Sequence, residues 1–381
     1  MKKVIILGAS GSIGQQTIQV IRENPHDFEI VAISVGKNKE CLLNLIKEFP
    51  SIKAIYSIEE TKDTGRKAFF GENGLTALLD SVKYDICINA LVGSVGFVPS
   101  LRVLETDHTL CLANKETLVI GGFLINELLK NGHGKLIPID SEHCGVLNVL
   151  NGRETNSVKS IILTTSGGAL RNLPHNKLAS IKISEALNHP TWKMGNKITI
   201  DSATMMNKAL EVIEAYYLFN VDPKNILVLQ HSQSKVHALV QLKDNSLIAE
   251  ISNPDMKNSI RFALYNGNYV SKESVNPIDI LNRLDFSPIS NDRYPLLDLA
   301  YFILENNLLL GVVFNTINDI LVDLLLREEI NFLEHEKILK HAILHFDEEL
   351  KKRSFHKSLS TVLYLIEASK NYLIRRWKIG G

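Results

Sequence analysis

The chain has 381 residues, 45% of them hydrophobic and 22% charged, and 42 basic side chains balance 42 acidic ones to a net charge of zero. This length exceeds one ordinary core, so two or three domains are expected. A neutral balance with pI near 7.2 offers no basic excess for nucleic acid and no charged block for a membrane surface, so the expected partner is a small molecule. Leu308–Phe314 is the most apolar run and falls short of the ~20 residues a membrane span needs. Cys41, Cys87, Cys111 and Cys144 show no C-x-x-C spacing, and three of them sit in apolar stretches. They read as buried thiols in a reducing cytosol. The N-terminus runs directly into a strand without a cleavable signal pattern, so a cytoplasmic location is expected.

The first third alternates strand and helix patterns. Lys3–Leu7 is an apolar run, followed by Gly8-Ala-Ser-Gly11-Ser-Ile-Gly14 and a helical stretch from Gln15 to Arg22. Phe28–Ser34, Asp85–Asn89, Thr109–Ala113 and Lys135–Ile139 read as further strands. Strands alternating with helices predict an α/β fold with a parallel sheet covered on both faces. From about 151 to 265 the chain reads as a mixed α+β block. Its strands are Ser160–Thr165, Asn225–Leu229, Val236–Leu242 and Ser246–Ile251, the last two forming a hairpin around Asp244-Asn245. Ala169–Asn188 is polar, basic and weakly patterned, a candidate mobile loop. After Asn-Pro and Ser-Pro breaks near 266–292, helical periodicity covers Leu296–Asn306, Asn315–Arg327, Leu333–Glu348 and Ser358–Arg376.

Several segments carry chemistry. Gly8-x-x-Gly11-x-x-Gly14 lies between a strand and a helix, where glycines permit a tight turn and close backbone approach to a pyrophosphate. A plain structural turn is the alternative. Gly36-Lys37-Asn38 closes the second strand. A cation and an amide there, in place of an acidic residue, favour the 2′-phosphate of NADP over the free hydroxyl of NAD. Asn114-Lys115-Glu116 places a lysine after an apolar strand, outside the carboxyl ends of the strands where open α/β folds bind ligands; a helix start with a solvated Lys–Glu pair is the alternative. Asp140 and Glu142 follow the Lys135–Ile139 strand and alternate onto one side of it. With Glu211 they make an oxygen-only set suited to Mg2+ or Mn2+; a solvated strand end is the alternative. His143 beside them is expected to play a supporting or packing role. Ser166-Gly167-Gly168 ends another strand with small groups and a hydroxyl that can donate to phosphate oxygens.

The densest segment is His189–Glu211. From Asp201 a helix is expected to open, with Asp201 or Ser202 as its cap and Met205, Leu210, Val212 and Ile213 as its apolar stripe. Asn207 and Glu211 are four apart and Lys208 and Glu211 three apart, so all three can face one region. A helix N-terminus there suits a phosphate. A capped surface helix with an ordinary Lys–Glu pair is the bland alternative.

Taken together, Gly8–Gly14, Gly36–Asn38, Asn89-Ala90, Gly93, Ala113–Glu116, Asp140–His143, Ser166–Gly168, His189–Gly195, Ile198–Glu211, Asn253–Met256 and Arg293–Pro295 closely resemble the 1-deoxy-D-xylulose 5-phosphate reductoisomerase family, over nearly the whole chain. The resemblance implies an N-terminal Rossmann-like NADPH-binding domain (1–150) and a central α+β catalytic and dimerisation domain (151–265) with a mobile loop at about 169–196. A linker (266–292), a C-terminal helical bundle (293–381) and a homodimer complete the implied organisation. It implies metal ligands Asp140, Glu142 and Glu211, holding Mg2+ or Mn2+ with Co2+ as a further option. Lys115, Glu142 and His189 take catalytic roles. The phosphosugar meets Ser141, Glu142, Lys115, His189 and Glu211, its phosphate meets Ser166, Ser202, Asn207 and Lys208, and Trp192 and Met194 close over it. NADPH meets Gly8, Ala9, Ser10, Gly11, Ser12, Ile13, Gly36, Lys37, Asn38, Asn114, Glu116 and Gly195. The implied reaction rearranges 1-deoxy-D-xylulose 5-phosphate and reduces the product to 2-C-methyl-D-erythritol 4-phosphate, a step of non-mevalonate isoprenoid synthesis.

The chain departs from the family pattern at His231-Ser-Gln-Ser234 (usually His-Pro-Gln-Ser), at Ser166-Gly-Gly-Ala-Leu-Arg171 (usually Ser-Gly-Gly-Pro-Phe-Arg) and at Asn315-Thr-Ile-Asn-Asp319 (usually Asn-Ala-Ala-Asn-Glu). Two competing readings are a different NADP-dependent dehydrogenase, such as one acting on a semialdehyde, and a catalytically silent NADP-binding regulator. The first leaves three carboxylates and a phosphate set unexplained and lacks an evident catalytic cysteine. The second predicts the loss of a metal or phosphate residue, and none is lost.

Overall fold

The computed structural model describes all residues except 62–63, 152, 154, 193, 269–282, 291 and 380–381. In chain order its elements are β1 (Lys2–Leu7), α1 (Ser12–Arg22), β2 (Phe28–Ser34), α2 (Lys39–Glu48), β3 (Ala54–Tyr56), β4 (Lys67–Phe69), α3 (Gly74–Asp80), β5 (Ile86–Asn89), α4 (Phe97–Glu105), β6 (Thr109–Leu112), α5 (Glu116–Lys130), β7 (Lys135–Pro138) and α6 (Ser141–Leu150). There follow β8 (Val158–Thr165), α7 (Ile183–Ala186), α8 (Asn196–Ala203), α9 (Met206–Phe219), β9 (Ile226–Gln230), β10 (Val236–Leu242), β11 (Leu247–Ile251), α10 (Met256–Leu264), β12 (Ser287–Pro288), α11 (Pro295–Asn306), α12 (Leu310–Leu326), α13 (Phe332–Lys352) and α14 (Leu359–Tyr372). The chain divides into two compact units.

The first unit comprises Met1–Thr117, Ile125–Cys144 and the segment carrying α10. Its sheet has seven strands in the order β4-β3-β2-β1-β5-β6-β7, each pair parallel. Val4, Ile5, Ile6 and Leu7 are fully buried, as expected of a central parallel strand covered on both faces. The predicted parallel α/β core is therefore present. The three-residue strands β3 and β4 extend it beyond the sequence reading. They are too short to show alternation, and β4 is mostly exposed. Helix α10 packs on α1, and Arg261 of α10 pairs with Glu23 at 3.2 Å. A residue late in sequence thus braces the first βα unit. The linker expected at 266–292 lies largely outside the described residues.

The second unit comprises Leu118–Leu124, Gly145–Pro254 and the described residues from 283 onward. Its five-stranded sheet runs β11-β10-β8-β9-β12, with β8 and β9 parallel and the β10–β11 hairpin antiparallel, as expected. Helices α11 to α14 match the predicted periodic segments, and α11 packs on α9 while α12 packs on α13, α14 and α8. Asn331 and Glu334 form a reciprocal capping box at the start of α13, and Ser358 caps α14, so each start follows from its first residues. The stretch after Gly168 is anchored on the second unit by buried apolar side chains and a few hydrogen bonds. Leu170, Leu178 and Ala186 are buried in a cluster with Val322, Leu325 and Phe332. Arg293 donates to the carbonyls of Leu173 (2.8 Å) and Leu170 (2.9 Å). His175 meets Glu336 at 2.7 Å, and burial raises the pKa of that carboxyl.

Candidate active site

In the first unit the candidate residues gather after the carboxyl ends of parallel strands. After β1, Gly8 adopts φ +85, and a Cβ there would fall 2.5 Å from the carbonyl oxygen of Ala90. A Cβ at Gly14 would fall 2.3 Å from the Gly8 carbonyl oxygen. Both positions therefore need glycine, one for its left-handed backbone and both for close approach. Helix α1 starts at Gly11 with no side-chain cap and no acidic residue in its first turn. Its first N–H groups have no competing side-chain acceptor, which suits a pyrophosphate. After β2, Lys37 is exposed, while Asn38 caps α2 by accepting from the Cys41 N–H at 3.0 Å.

After β6, Asn114 and Glu116 are buried. The Asn114 amide donates to the carbonyls of Leu91 (2.9 Å) and Gly93 (3.0 Å) and to Glu116 (3.0 Å), and Glu116 accepts from the Gly93 N–H at 3.1 Å. These two side chains hold the turn after β5 in place. Lys115 between them is only 7% exposed, and its Nζ lies 2.5 Å from Oδ2 of Asp140. The other Asp140 oxygen faces Nδ1 of the fully buried His143 at 3.3 Å and accepts from the Glu142 N–H at 3.3 Å. The Ser141 hydroxyl donates to Glu142 at 2.6 Å.

One expectation here is corrected. Asp140 and Glu142 do not alternate along a strand, because β7 ends at Pro138 and Glu142 lies in the first turn of α6. Asp140 accepts at the helix start, and the two carboxylates are neighbours through the capping geometry rather than the pleat. His143 is fully buried with its Nδ1 toward Asp140.

In the second unit β8 delivers Ser166, whose Oγ lies 3.0 Å from Nε2 of His189. The other ring nitrogen, Nδ1, accepts from the N–H groups of Thr191 (3.1 Å) and Trp192 (2.9 Å). Two backbone donors on Nδ1 place the ring proton on Nε2, directed at Ser166. Burial, with Arg171 nearby, lowers the pKa of His189 and keeps it neutral. The indole of Trp192 faces the ring of His237 at 6.1 Å between centroids. Met194 is half-buried, and Gly195 caps α8. Gly168 has φ +68, and a Cβ on it would lie 2.5 Å from the Ser202 carbonyl oxygen. The Ser166 turn is thus pressed against the end of α8.

A second expectation is also corrected. Asp201 and Ser202 do not cap a helix: both lie inside α8, and α9 begins only at Met206. Asp201 is 2% exposed and receives Lys197 at 2.7 Å and the Asn318 amide at 2.9 Å. The Ser202 hydroxyl donates to the Ile198 carbonyl at 2.8 Å. The periodicity of Ile198, Ile200 and Ala203 had already started the helix upstream. Met205, in the left-handed region at φ 65, turns the chain into α9. Within α9 the expected grouping holds: the Asn207 amide donates to Glu211 at 2.5 Å, and the ammonium of Lys208 contacts the other Glu211 oxygen. Lys208 and Glu211 are 2% and 1% exposed. Sequence reasoning missed the partners of Asp201. Its lysine at i−4 was a local signal, but Asn318 is 117 residues away and gave none.

Three family models cover most of the chain: 1-deoxy-D-xylulose 5-phosphate reductoisomerase at residues 4–122, its C-terminal domain at 136–219, and DXP reductoisomerase C-terminal domain at 251–372. A 1-deoxy-D-xylulose 5-phosphate reductoisomerase of Geobacillus sp. (strain WCH70) is 42% identical over 352 residues, covering 90% of this chain and 92% of the relative. The chain belongs to the 1-deoxy-D-xylulose 5-phosphate reductoisomerase family. Solved members of the family agree. A DOX-P reductoisomerase in complex with NADPH, fosmidomycin and magnesium superposes with TM-score 0.90 at 29% identity, over 99% of this chain and 100% of that one. The Zymomonas mobilis enzyme in complex with NADPH gives 0.86 at 29% identity, over 97% of each chain.

Proposed function

We propose that this member of the family converts 1-deoxy-D-xylulose 5-phosphate to 2-C-methyl-D-erythritol 4-phosphate, with NADPH as reductant and a divalent cation as cofactor, in the non-mevalonate route to isoprenoid precursors. The observation that carries the reading is the 42% identity to a reductoisomerase across 90% of the chain, with every expected site residue retained. Asp140, Glu142 and Glu211 are the proposed metal ligands. They offer only carboxylate oxygens, a set that fits Mg2+ or Mn2+ and not a thiophilic ion. When bound, the cation supplies Lewis acidity toward the adjacent oxygens of the ketose phosphate and NADPH supplies hydride.

The chain's own groups carry the rest of the proposal. The uncapped start of α1 and the glycine turn before it receive the pyrophosphate of NADPH, and Lys37 reads its 2′-phosphate. Ser141 and Lys115 donate to substrate hydroxyls, with the Lys115 ammonium offsetting charge that develops on a substrate oxygen. His189, neutral with its proton on Nε2, is a hydrogen-bond donor for the same substrate. Ser166, Ser202, Asn207 and Lys208 hold the phosphate. The Ser202 hydroxyl must swing away from the Ile198 carbonyl to do so. Phosphate binding remote from the reacting carbons supplies energy for closing the His189–Gly195 segment, whose Trp192 and Met194 exclude water. The 1–150, 151–265 and 293–381 division into cofactor, catalytic and helical parts belongs to this proposal. So do a homodimer and a cytoplasmic location. Four free thiols and the lack of any described helix long and apolar enough to cross a membrane are consistent with that location.

Incubation of the protein with 1-deoxy-D-xylulose 5-phosphate, NADPH and Mn2+, followed by NMR of the product, tests the reading. The expected product is the branched 2-C-methyl tetritol phosphate. An unbranched reduced sugar phosphate would assign the chain to simple ketone reduction instead.

A further inference from the structure

The turn between α8 and α9 is built on an unfavourable residue. Met205 is 1% exposed and sits in the left-handed region at φ 65, a conformation that costs a non-glycine residue on the order of 1 kcal/mol and persists only where surrounding contacts enforce it. Locally the turn has weak support: the Thr204 hydroxyl accepts from the Met206 N–H at 3.3 Å. Four residues upstream, α8 is reached by a hydrogen-bonded chain that starts far away in sequence. Asp201 is a carboxylate with one oxygen on Lys197 (2.7 Å) and the other on Nδ2 of Asn318 (2.9 Å). A carboxylate only accepts, so the amide nitrogen of Asn318 must face it and the amide oxygen must face away. That oxygen lies 2.9 Å from Nε2 of His335 on α13. His335 must therefore donate from Nε2, as a neutral ring does. Full burial pushes its pKa down to about 3, which keeps it neutral at every working pH. Asn318 and His335 are both 0% exposed. Lys197 is shared with Asp319 at 3.3 Å, and Asn315 donates to Asp319 at 3.1 Å. The helix bearing Asn318 thus grips α8 one residue before Ser202 and four before Met205.

We propose that Asn318 is a positioning residue for phosphate binding: acting through Asp201, it fixes the end of α8 and the left-handed turn that aims Ser202, Asn207 and Lys208 at the substrate phosphate. The inference rests on the phosphate role proposed above for those three residues. Asn318 touches no substrate. Its amide presents its donor end to Asp201 and its acceptor end to the neutral His335.

The test measures KM for 1-deoxy-D-xylulose 5-phosphate, kcat, the inhibition constant of inorganic phosphate and the unfolding temperature. The variants are Asn318→Leu, Asn318→Asp, Lys208→Ala and the exchange pair Asn318→Asp with Asp201→Asn. Loss of a hydrogen bond to a buried carboxylate is expected to raise KM and the phosphate inhibition constant together by about tenfold, with kcat changed less and NADPH affinity unmoved. The exchange pair restores one amide donor facing one carboxylate, so it should recover most of the phosphate affinity lost in Asn318→Asp. In a Lys208→Ala background the Asn318 changes should add little, because the group they position is gone. Asn318 variants that lose thermal stability while KM and phosphate inhibition stay at wild-type values would overturn the inference and leave the phosphate site standing. Should Leu at this position fail to fold, the near-isosteric Asn318→Asp and the exchange pair decide the matter alone. Unchanged phosphate inhibition in Lys208→Ala would instead remove the phosphate role itself, and the inference with it.

Discussion

The turn after β1 and the turn before α9 solve one geometric problem in opposite ways. Each leads the chain through a left-handed residue toward a helix start proposed to meet a phosphate. The first uses Gly8 at φ +85, where no side chain exists to be strained and where a Cβ would collide with the Ala90 carbonyl. The second uses Met205 at φ 65, an unfavourable residue four positions after Asp201, which a buried chain from α12 and α13 reaches. The glycine turn is self-sufficient, and its requirement is written in the local residues. The methionine turn is only as good as its supports, and it is rigid for as long as they are intact. A turn of the first kind binds a ligand through its backbone; a turn of the second kind holds side chains in register.

The largest expected effect separates the two regions functionally. Glu211→Gln should reduce metal-dependent turnover on the order of 10³-fold, with NADPH affinity unchanged as read by fluorescence titration, because the proposed cofactor and metal residues come from different segments. Turnover near wild type would remove Glu211 from the metal site. The converse change is Gly8→Ala. A Cβ 2.5 Å from a backbone carbonyl at φ +85 should cost roughly 2–4 kcal/mol of stability and weaken NADPH binding, while inorganic phosphate still inhibits whatever activity is left. An alanine variant with native melting temperature and native NADPH affinity would mean that the turn is not constrained as described.

The contrast between the turns also explains what could be read in advance. The parallel sheet was legible because Val4–Leu7, Phe28–Ser34 and their neighbours are unbroken apolar runs of strand length, and the glycine spacing fixed the first turn. The Asn207, Lys208 and Glu211 grouping was legible because helical spacing is local. The start of α9 was misplaced by five residues because Asp201 and Ser202 look like caps. Only the partner on α12 shows that Asp201 is instead a buried helix-interior acceptor. The capping relation of Asp140 to Glu142 was misread as strand alternation, although Pro138, the last residue of β7, is a local stop signal. The bracing of the segment after Gly168 by Arg293 and Glu336 likewise depends on residues more than a hundred positions away.

Smaller effects sharpen the comparison. Lys37→Ala should weaken NADPH by about tenfold while leaving NADH unaffected, the value of one exposed charge-assisted contact to a phosphate. Equal losses for both cofactors would mean that Lys37 does not read the 2′-phosphate. The support beneath the methionine turn has its own signature. His335 is held neutral down to a folded pKa of about 3, against roughly 6.5 when unfolded. The unfolded state therefore binds the proton first as pH falls. Stability from this group is complete above pH 6.5 and is lost toward pH 3, at no more than ~1.4 kcal/mol per pH unit. Urea unfolding at pH 7 and pH 5 should show a steeper acid loss for wild type than for His335→Asn. Identical slopes would mean that His335 takes up its proton alike in the folded and unfolded states and is not held neutral by burial.

NADPH absorbance followed with 1-deoxy-D-xylulose 5-phosphate, with and without Mg2+ or Mn2+, and again with NADH, decides whether this protein is a reductoisomerase. Oxidation is expected to require both the sugar phosphate and the metal and to prefer NADPH. No oxidation under either metal, with NADPH still bound, would contradict this expectation and leave a nucleotide-binding protein without this activity.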